Sequence, residues 1–324
     1  MKSLGLCLSL AMALSTLFGL SCRGATDEMP SFGWSCVSTA YMRSEPSHTA
    51  ELASQALMGH PLRLIEQKGE WFLAETSEGY RGWINRNTVE TADSTDMERW
   101  KCAPRLIVAS LEPIKAVADT TTLEPLTDMV NGCIVEGVLI PGARYAAVRL
   151  PDGRRAFVDA SQVEDLASFA SRPFSVARVL ALARSMMGAP YLWGGLSVKE
   201  ADCSGLVKAA YLAAGVILPR DASQQAKVGT PVAAENWDEL CPGDLVFFGN
   251  GTSDRITHVA IYEGEGNVIH SSGRVRRNSL NPHAPDYIGR RVLQCAAIVP
   301  NIGSAGLIPI GSHPLYFSLP VQQP

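Results

Sequence analysis

The chain has 324 residues, enough for two or three domains, because single hydrophobic cores stop growing efficiently at roughly 250 residues. A formal net charge of -4, with Lys and Arg scattered rather than striped, excludes the electrostatic footprint of a nucleic-acid or anionic-membrane binder, and the 46% hydrophobic content is ordinary for a globular protein. At the start, Lys2 precedes an apolar run from Leu4 to Leu20 and then the small residues Ser21, Cys22 and Gly24, the layout of an export signal over residues 1–24. A membrane anchor fits less well, since the run falls short of about 20 residues and no second span follows.

Within that leader "GLSC" is loosely similar to a lipoprotein cleavage site, with Gly19 where such sites usually carry Leu. Cys22 is then the candidate lipid anchor, and the expected location is the periplasm or cell envelope. Of the eight cysteines, Cys7 and Cys22 belong to this region, leaving Cys36, Cys102, Cys133, Cys203, Cys241 and Cys295. Export permits disulfides, and Cys36 and Cys102 bracket one candidate domain and are a candidate pair, with connectivity open. Neither a close CxxC spacing nor a His/Cys cluster is present, so no metal site is expected.

From Cys36 to about Val89 short β-like runs alternate with turn signals at Lys68-Gly69 and Glu78-Gly79, which reads as a small β-barrel. "GYRGWINRNTVE" (79–90) has a partner in "GRRAFVDASQVE" (153–164), setting Trp83 over Phe157 and Val89 over Val163, so two tandem copies of one module are expected, over 30–95 and 103–168. The ends of both copies resemble bacterial SH3 domains, the second more weakly because Ala156 replaces a Gly. Residues 165–174, rich in Ala, Ser and Pro, read as a linker. A third domain follows over 175–300. In "SVARVLALARSMMG" the positions Val176, Val179, Leu180 and Ala183 have the spacing of an amphipathic helix stopped by Gly188 and Pro190, and a second helix begins near Cys203 with Leu206, Val207, Ala210 and Tyr211 inward. "GDLVFFG", "ITHVAIYEG" and "NVIHSSG" are β-like, giving helices first and an antiparallel sheet after, an α+β domain. The tail 301–324 shows no period and is expected to lie along the surface of this domain.

Cys203 falls at a helix start, where unpaired N–H groups and the macrodipole favour an anion, lower a thiol pKa and offer donors to an oxyanion. A nucleophile needs a base. If the hairpin after Tyr262 centres on Gly264, His270 falls opposite His258, and one imidazole takes the thiol proton while the other fixes its orientation. Singly, a Cys is more often a small core residue and a strand His more often structural; the joint pattern favours chemistry.

At this point "PYLWGG", "DCSGLV", "PRDASQQ", "PGDLVFF" and "HVAIYEGEGNVIHSS" resemble, in order and spacing, the NlpC-type cell-wall cysteine peptidases, which have a papain-like fold. The resemblance implies a catalytic Cys203, a base His258 and a third polar residue His270, with no metal or organic cofactor. Two SH3-like modules ahead of such a domain are similar to the γ-D-glutamyl-L-diamino acid endopeptidases, which trim peptidoglycan stem peptides bearing a free L-alanine amine. By motif, Asp202 and Ser204 would then hold the dipeptide, Asp202 as partner of the ammonium; Tyr191 and Trp193 would line the pocket, Tyr191 donating to the oxyanion; and Arg220, Asp221 and Ser223 would form a further substrate-binding element. From the first SH3-like module Tyr80 is the residue expected to reach the site, joined by an acidic residue, Glu51 in preference to Glu45. The partner implied is a stem peptide or muropeptide, and the protein is expected to act as a monomer. A cell-wall amidase and a non-enzymatic wall-binding SH3 protein are the alternatives.

Overall fold

The computed structural model describes residues 29–318; the leader and Cys22 lie outside them. Strands β1 (Phe32–Ser35), β2 (Thr39–Arg43), β3 (Leu52–Leu57), β4 (Pro61–Lys68), β5 (Trp71–Glu75), β6 (Arg81–Asn85) and β7 (Val89–Ala92) form a seven-stranded sheet in the order β3-β2-β6-β5-β4-β1-β7. After helix α1 (Ser94–Cys102) come β8 (Arg105–Val108), β9 (Ile114–Val117), β10 (Pro125–Met129), β11 (Ile134–Gly137), β12 (Tyr145–Arg149), β13 (Arg155–Asp159) and β14 (Val163–Asp165). Their order is β10-β9-β13-β12-β11-β8-β14, the first sheet displaced by seven strands. Trp83 and Phe157 occupy the same place in β6 and β13, whose alternation of exposed and buried residues is identical. Gly69 and Gly79 take φ of 57° and 81° at the turns flanking β5, a backbone that glycine alone adopts cheaply.

Residues 165–174 are no free linker. Asp165 caps α2 (Leu166–Ser171) by accepting from the Ser168 amide at 2.7 Å, and Leu166, Phe169 and Ala170 are buried. The third unit contains α3 (Val176–Ser185), the short strands β15 (Leu196–Ser197) and β16 (Glu200–Ala201), α4 (Cys203–Ala213), β17 (Val216–Ile217) and α5 (Ala222–Gln225). A six-stranded antiparallel sheet follows, built from β18 (Thr230–Val232), β19 (Leu245–Gly249), β20 (Ile256–Gly264), β21 (Asn267–Ser272), β22 (Arg274–Ser279) and β23 (Val292–Ala297), in the order β18-β23-β19-β20-β21-β22. Helix α4 was expected to show one inner face. Every residue from Cys203 to Leu212 is buried, because the sheet, α3, the first barrel and the C-terminal segment enclose it.

One apolar cluster joins the three units, beside others that belong to the first barrel alone and to the third unit alone. The joining cluster runs from Trp34, Leu57 and Met58 of the first barrel through Ile107 and Ile134 of the second to Leu196, Leu212 and Ile217 of the third, closing on Ile310, Leu315 and Tyr316. Of the tail, residues 301–318 pack partly on the third unit, as expected, and partly in the seam between the barrels. Its strand β24 (Ile308–Pro309) pairs with β17, and Tyr316 sits between the barrels, its hydroxyl 2.7 Å from His60 Nδ1 and its carbonyl accepting from Arg105 Nη1 at 2.7 Å. Lys208 of α4 meets Glu78 of the first barrel at 3.0 Å, both side chains buried. Cys36 and Cys102 are unpaired thiols, Cys36 against the Asn87 carbonyl and Cys102 beside Ser318, so that candidate disulfide is absent.

A core held in common should melt in common. Differential scanning calorimetry is expected to show one transition, and Tyr316→Ala should cost about 3–5 kcal/mol, the usual range for deleting a fully buried aromatic. Separate barrel and third-domain transitions in the unmodified protein would contradict the shared core.

Candidate active site

Asp202 is the N-cap of α4 and sets the nucleophile. Its Oδ1 accepts from the Gly205 amide at 2.7 Å, so the helix begins at Cys203 and presents its free amides there. Gly205 has no substitute. A Cβ at that position would stand 1.9 Å from the Gly195 carbonyl, the closest approach between helix and the 191–195 loop.

Ladder pairing between β20 and β21 ends at Ile261–Ile269, and α4 packs against both strands, with the backbone of Val259 near the Cys203 sulfur. The helix terminus thus enters where the two strands part, one residue from His258. The expected lowering of the thiol pKa does not occur. Burial, and after it the charge of Asp202, pushes Cys203 up to about 11, outweighing the amides of Val259 and Ser204 and the Arg220 guanidinium. In the free site the proton stays on sulfur.

The imidazoles are arranged to receive it. The hairpin turns one residue later than a centre on Gly264 would require, so His270 is a diagonal neighbour of His258 on the same face and not its direct opposite. His258 Nε2 lies 2.8 Å from His270 Nδ1, and His270 Nε2 lies 2.9 Å from Asn278 Oδ1. Asn278 gives its amide hydrogens to the Asp286 carbonyl at 2.6 Å, which leaves its oxygen as acceptor. His270 must then donate from Nε2 and accept at Nδ1 from His258, whose own Nδ1 keeps a free lone pair. Burial holds both imidazoles well below their usual pKa; on His258 the charges of His270, Arg290 and Arg276 add to it, on His270 those of Arg276 and Arg290. Both are neutral bases at pH 7. Asn278 was missed in the sequence because an Asn on an edge strand carries no signal until the register places it two residues from Arg276, the partner opposite His270.

Asp202 does not wait for an ammonium. Its Oδ2 accepts from Arg220 Nη2 at 2.6 Å and from the Gly194 amide at 2.9 Å, and its Oδ1 from Arg220 Nη1 at 3.1 Å and the Ser204 hydroxyl at 3.2 Å. Arg220, 1% exposed, also donates to Ser204 Oγ, the Gly195 carbonyl and, through Nε at 3.0 Å, Ser54 Oγ of the first barrel. Asp202, Ser204 and Arg220 are therefore engaged with one another. Asp221, next in the chain, is half-buried, and the Tyr80 phenol of the first barrel interacts with its carboxylate. Burial, assisted by the charge of Asp202, raises the Asp221 pKa against the pull of Arg220 and Tyr80.

The barrel abuts the loop directly. The Leu52 carbonyl would be 2.6 Å from a Cβ at Gly194, and Gln55 Oε1 accepts from the Leu196 amide at 2.9 Å. Tyr191 is half-buried, and burial above all pushes its phenol up to about 12, so it remains a donor. Trp193 projects at 59% exposure, Ser223 is exposed on α5, and Glu51 is exposed at the entry to β3 with its carbonyl bonded by the Ser44 amide. Among the described residues no cluster of His, Cys, Asp and Glu has the makings of a metal site.

Because the thiol is held protonated, alkylation of Cys203 by iodoacetamide, followed by peptide mass spectrometry, should quicken about tenfold per pH unit from pH 6 to 9. A plateau already reached below pH 7 would show a standing thiolate instead. Asn278→Leu should lower kcat about tenfold and leave KM nearly unchanged, since it frees the His270 orientation without touching a binding surface.

Comparison with known proteins finds relatives along most of the chain. The bacterial SH3 domain profile matches residues 38–90 and that of the NlpC/P60 family residues 188–295. A "Gamma-D-glutamyl-L-lysine dipeptidyl-peptidase" of Bacillus cereus is 27% identical over 82% of this chain and 80% of its own length. "Dipeptidyl-peptidase 6" of Lysinibacillus sphaericus is 30% identical over 76% of this chain and 91% of its own. A crystal structure of an NlpC/P60 family protein from Bacillus cereus superposes with a TM-score of 0.72 at 22% identity, covering 83% of this chain and all of that one, a likeness of fold. A relative matched at 30% over nine-tenths of its length, together with the family match over residues 188–295, makes this chain a member of the NlpC/P60 family of cysteine peptidases, with SH3-type β-modules ahead of a papain-like domain.

Proposed function

We propose that the protein is an envelope endopeptidase that hydrolyses the γ-D-glutamyl-L-diamino acid bond of peptidoglycan stem peptides whose N-terminal L-alanine is free. The supporting observation is the meeting of Tyr80 with Asp221 at the edge of the site, while the other acid there, Asp202, is already neutralised by Arg220. A half-buried carboxylate with a phenol beside it, facing a wall made by another module, suits a single ammonium at the end of a short peptide. An N-acetylated or glycan-linked alanine would bring no charge and would meet the barrel. The name of the Bacillus cereus relative, a gamma-D-glutamyl-L-lysine dipeptidyl-peptidase, supports a bond of this class.

In the reaction, His258 Nδ1 takes the Cys203 proton as the sulfur attacks the γ-carbonyl. The oxyanion draws on the amides at the start of α4 and on the Tyr191 phenol, which is still protonated at working pH. Imidazolium His258, held by His270 and Asn278, returns the proton to the leaving amine as the C–N bond breaks. Water then enters, gives a proton to His258 and hydrolyses the thioester, restoring the thiol. The imidazolium formed on His258 has His270 as its acceptor, itself held by Asn278.

The test is mass spectrometry of L-Ala-γ-D-Glu-L-Lys-D-Ala and its N-acetylated analogue after incubation with the protein and with Cys203→Ala. Release of L-Ala-γ-D-Glu from the free-amine peptide, and its loss in the variant, is the expected result. Asp221→Asn should raise KM for that peptide about tenfold or more, the order of one charge-assisted hydrogen bond. Equal cleavage of both peptides would discard the ammonium pocket; cleavage of neither would favour a cell-wall amidase or a binding protein.

A further inference from the structure

Beside the histidines stand guanidiniums that the site described above does not use. Strand β22 is an edge strand, and its register sets Arg276 opposite His270 and Arg274 opposite Ser272. Arg274, Arg276 and Asn278 therefore share the face of the sheet that carries both imidazoles. Arg290 reaches the same face from the 281–290 loop, donating from Nη2 to Ser272 Oγ at 3.3 Å. Its charge is felt by His258, His270 and Tyr191, and that of Arg276 by both histidines.

Their neighbours show what is unusual here. Arg277, on the opposite face of β22, and Arg184 both bind Glu263, and Arg291 binds Asp254. Among the described residues, by contrast, no carboxylate lies within 4.0 Å of Arg274, Arg276 or Arg290. In a chain with net charge -4, three like charges on one face without a counter-ion repel each other and depress the imidazoles they flank. An anion brought by the substrate relieves both costs.

Which part of the substrate arrives there follows from the direction of the reaction, so the inference rests on the endopeptidase reading. The acyl part is anchored at Tyr80 and Asp221, and the leaving amine must sit at His258, which protonates it. The leaving diamino acid thus extends toward His270, Arg276 and Arg290. The geometry points to Arg276 and Arg290 as an anion-binding rim that accepts the side-chain carboxylate of a diaminopimelate residue. Lysine would present an ammonium to the same two guanidiniums. The α-carboxylate of the diamino acid is a weaker candidate, since in stem peptides longer than three residues it is consumed by an amide bond.

Three tetrapeptides L-Ala-γ-D-Glu-X-D-Ala, with X as meso-diaminopimelate, diaminopimelate amidated on its side-chain carboxyl, or L-Lys, test this on the full chain. The first should be cleaved with kcat/KM about tenfold or more above the other two, the order of one charge-assisted pair. In R276Q/R290Q the three values should fall within about twofold of each other, and R276Q alone, at an exposed position, should already narrow the ratio. The readout is the ratio, so a uniform change through the histidine pKa values does not affect it. A ratio of one in the unmodified protein, or a full ratio kept by the double variant, overturns the rim and leaves the endopeptidase standing. Cleavage of none of the three overturns the endopeptidase reading and the rim with it.

Discussion

The buried pair of Arg220 and Asp202 is the interaction on which the site depends. Neither charge is tolerable alone in so dry a place, since an unpaired buried ion costs several kcal/mol, roughly 3–5 when one partner is removed. Here each is bound to the other twice, and the remaining donors and lone pairs go to Ser54, Ser204, Gly195, Gly194 and Gly205. One pair therefore caps the helix of Cys203, fixes the loop of Tyr191 and ties both to a strand of another module. It also occupies both oxygens of Asp202, so that on the proposed reading Asp221 is the carboxylate left to meet a ligand's charge.

Proton chemistry in the site follows from burial in the same way. A thiol with a pKa of about 11 and imidazoles pushed down by their surroundings form a neutral resting state, so nucleophile and base become charged only together. The chain of donors from His258 through His270 to Asn278 settles which nitrogen is free to act. A helix terminus alone contributes a fraction of a charge, roughly half a unit, and burial outweighs it.

The β-modules are part of the enzyme's interior and not appendages. The cluster from Trp34 to Tyr316 has no boundary at which one domain's core ends, and the C-terminal segment closes it from outside. With Leu52 against Gly194 and Gln55 on the Leu196 amide, the first barrel forms one wall of the cleft at fixed distance. On the proposed reading that wall would limit substrate length, with Tyr80 beside Asp221 at its edge.

Much of this was legible in the residues. Period and turn chemistry located the barrels and their tandem repeat, because β-hairpins are local and Gly79 or Gly69 marks a turn wherever it stands. Cys203, His258 and His270 were found from a helix start and a hairpin, which are also local. What the chain order could not determine were relations between distant segments. The diagonal offset of the histidines depends on where a hairpin turns, and the use of Arg220 depends on Ser54, 166 residues away. The raised thiol pKa depends on how deeply the helix end is sunk between two strands. Local sequence determined which groups are present and which elements carry them; only the tertiary structure decided their charge and their partners, because desolvation and pairing are properties of the whole enclosure and not of any one segment.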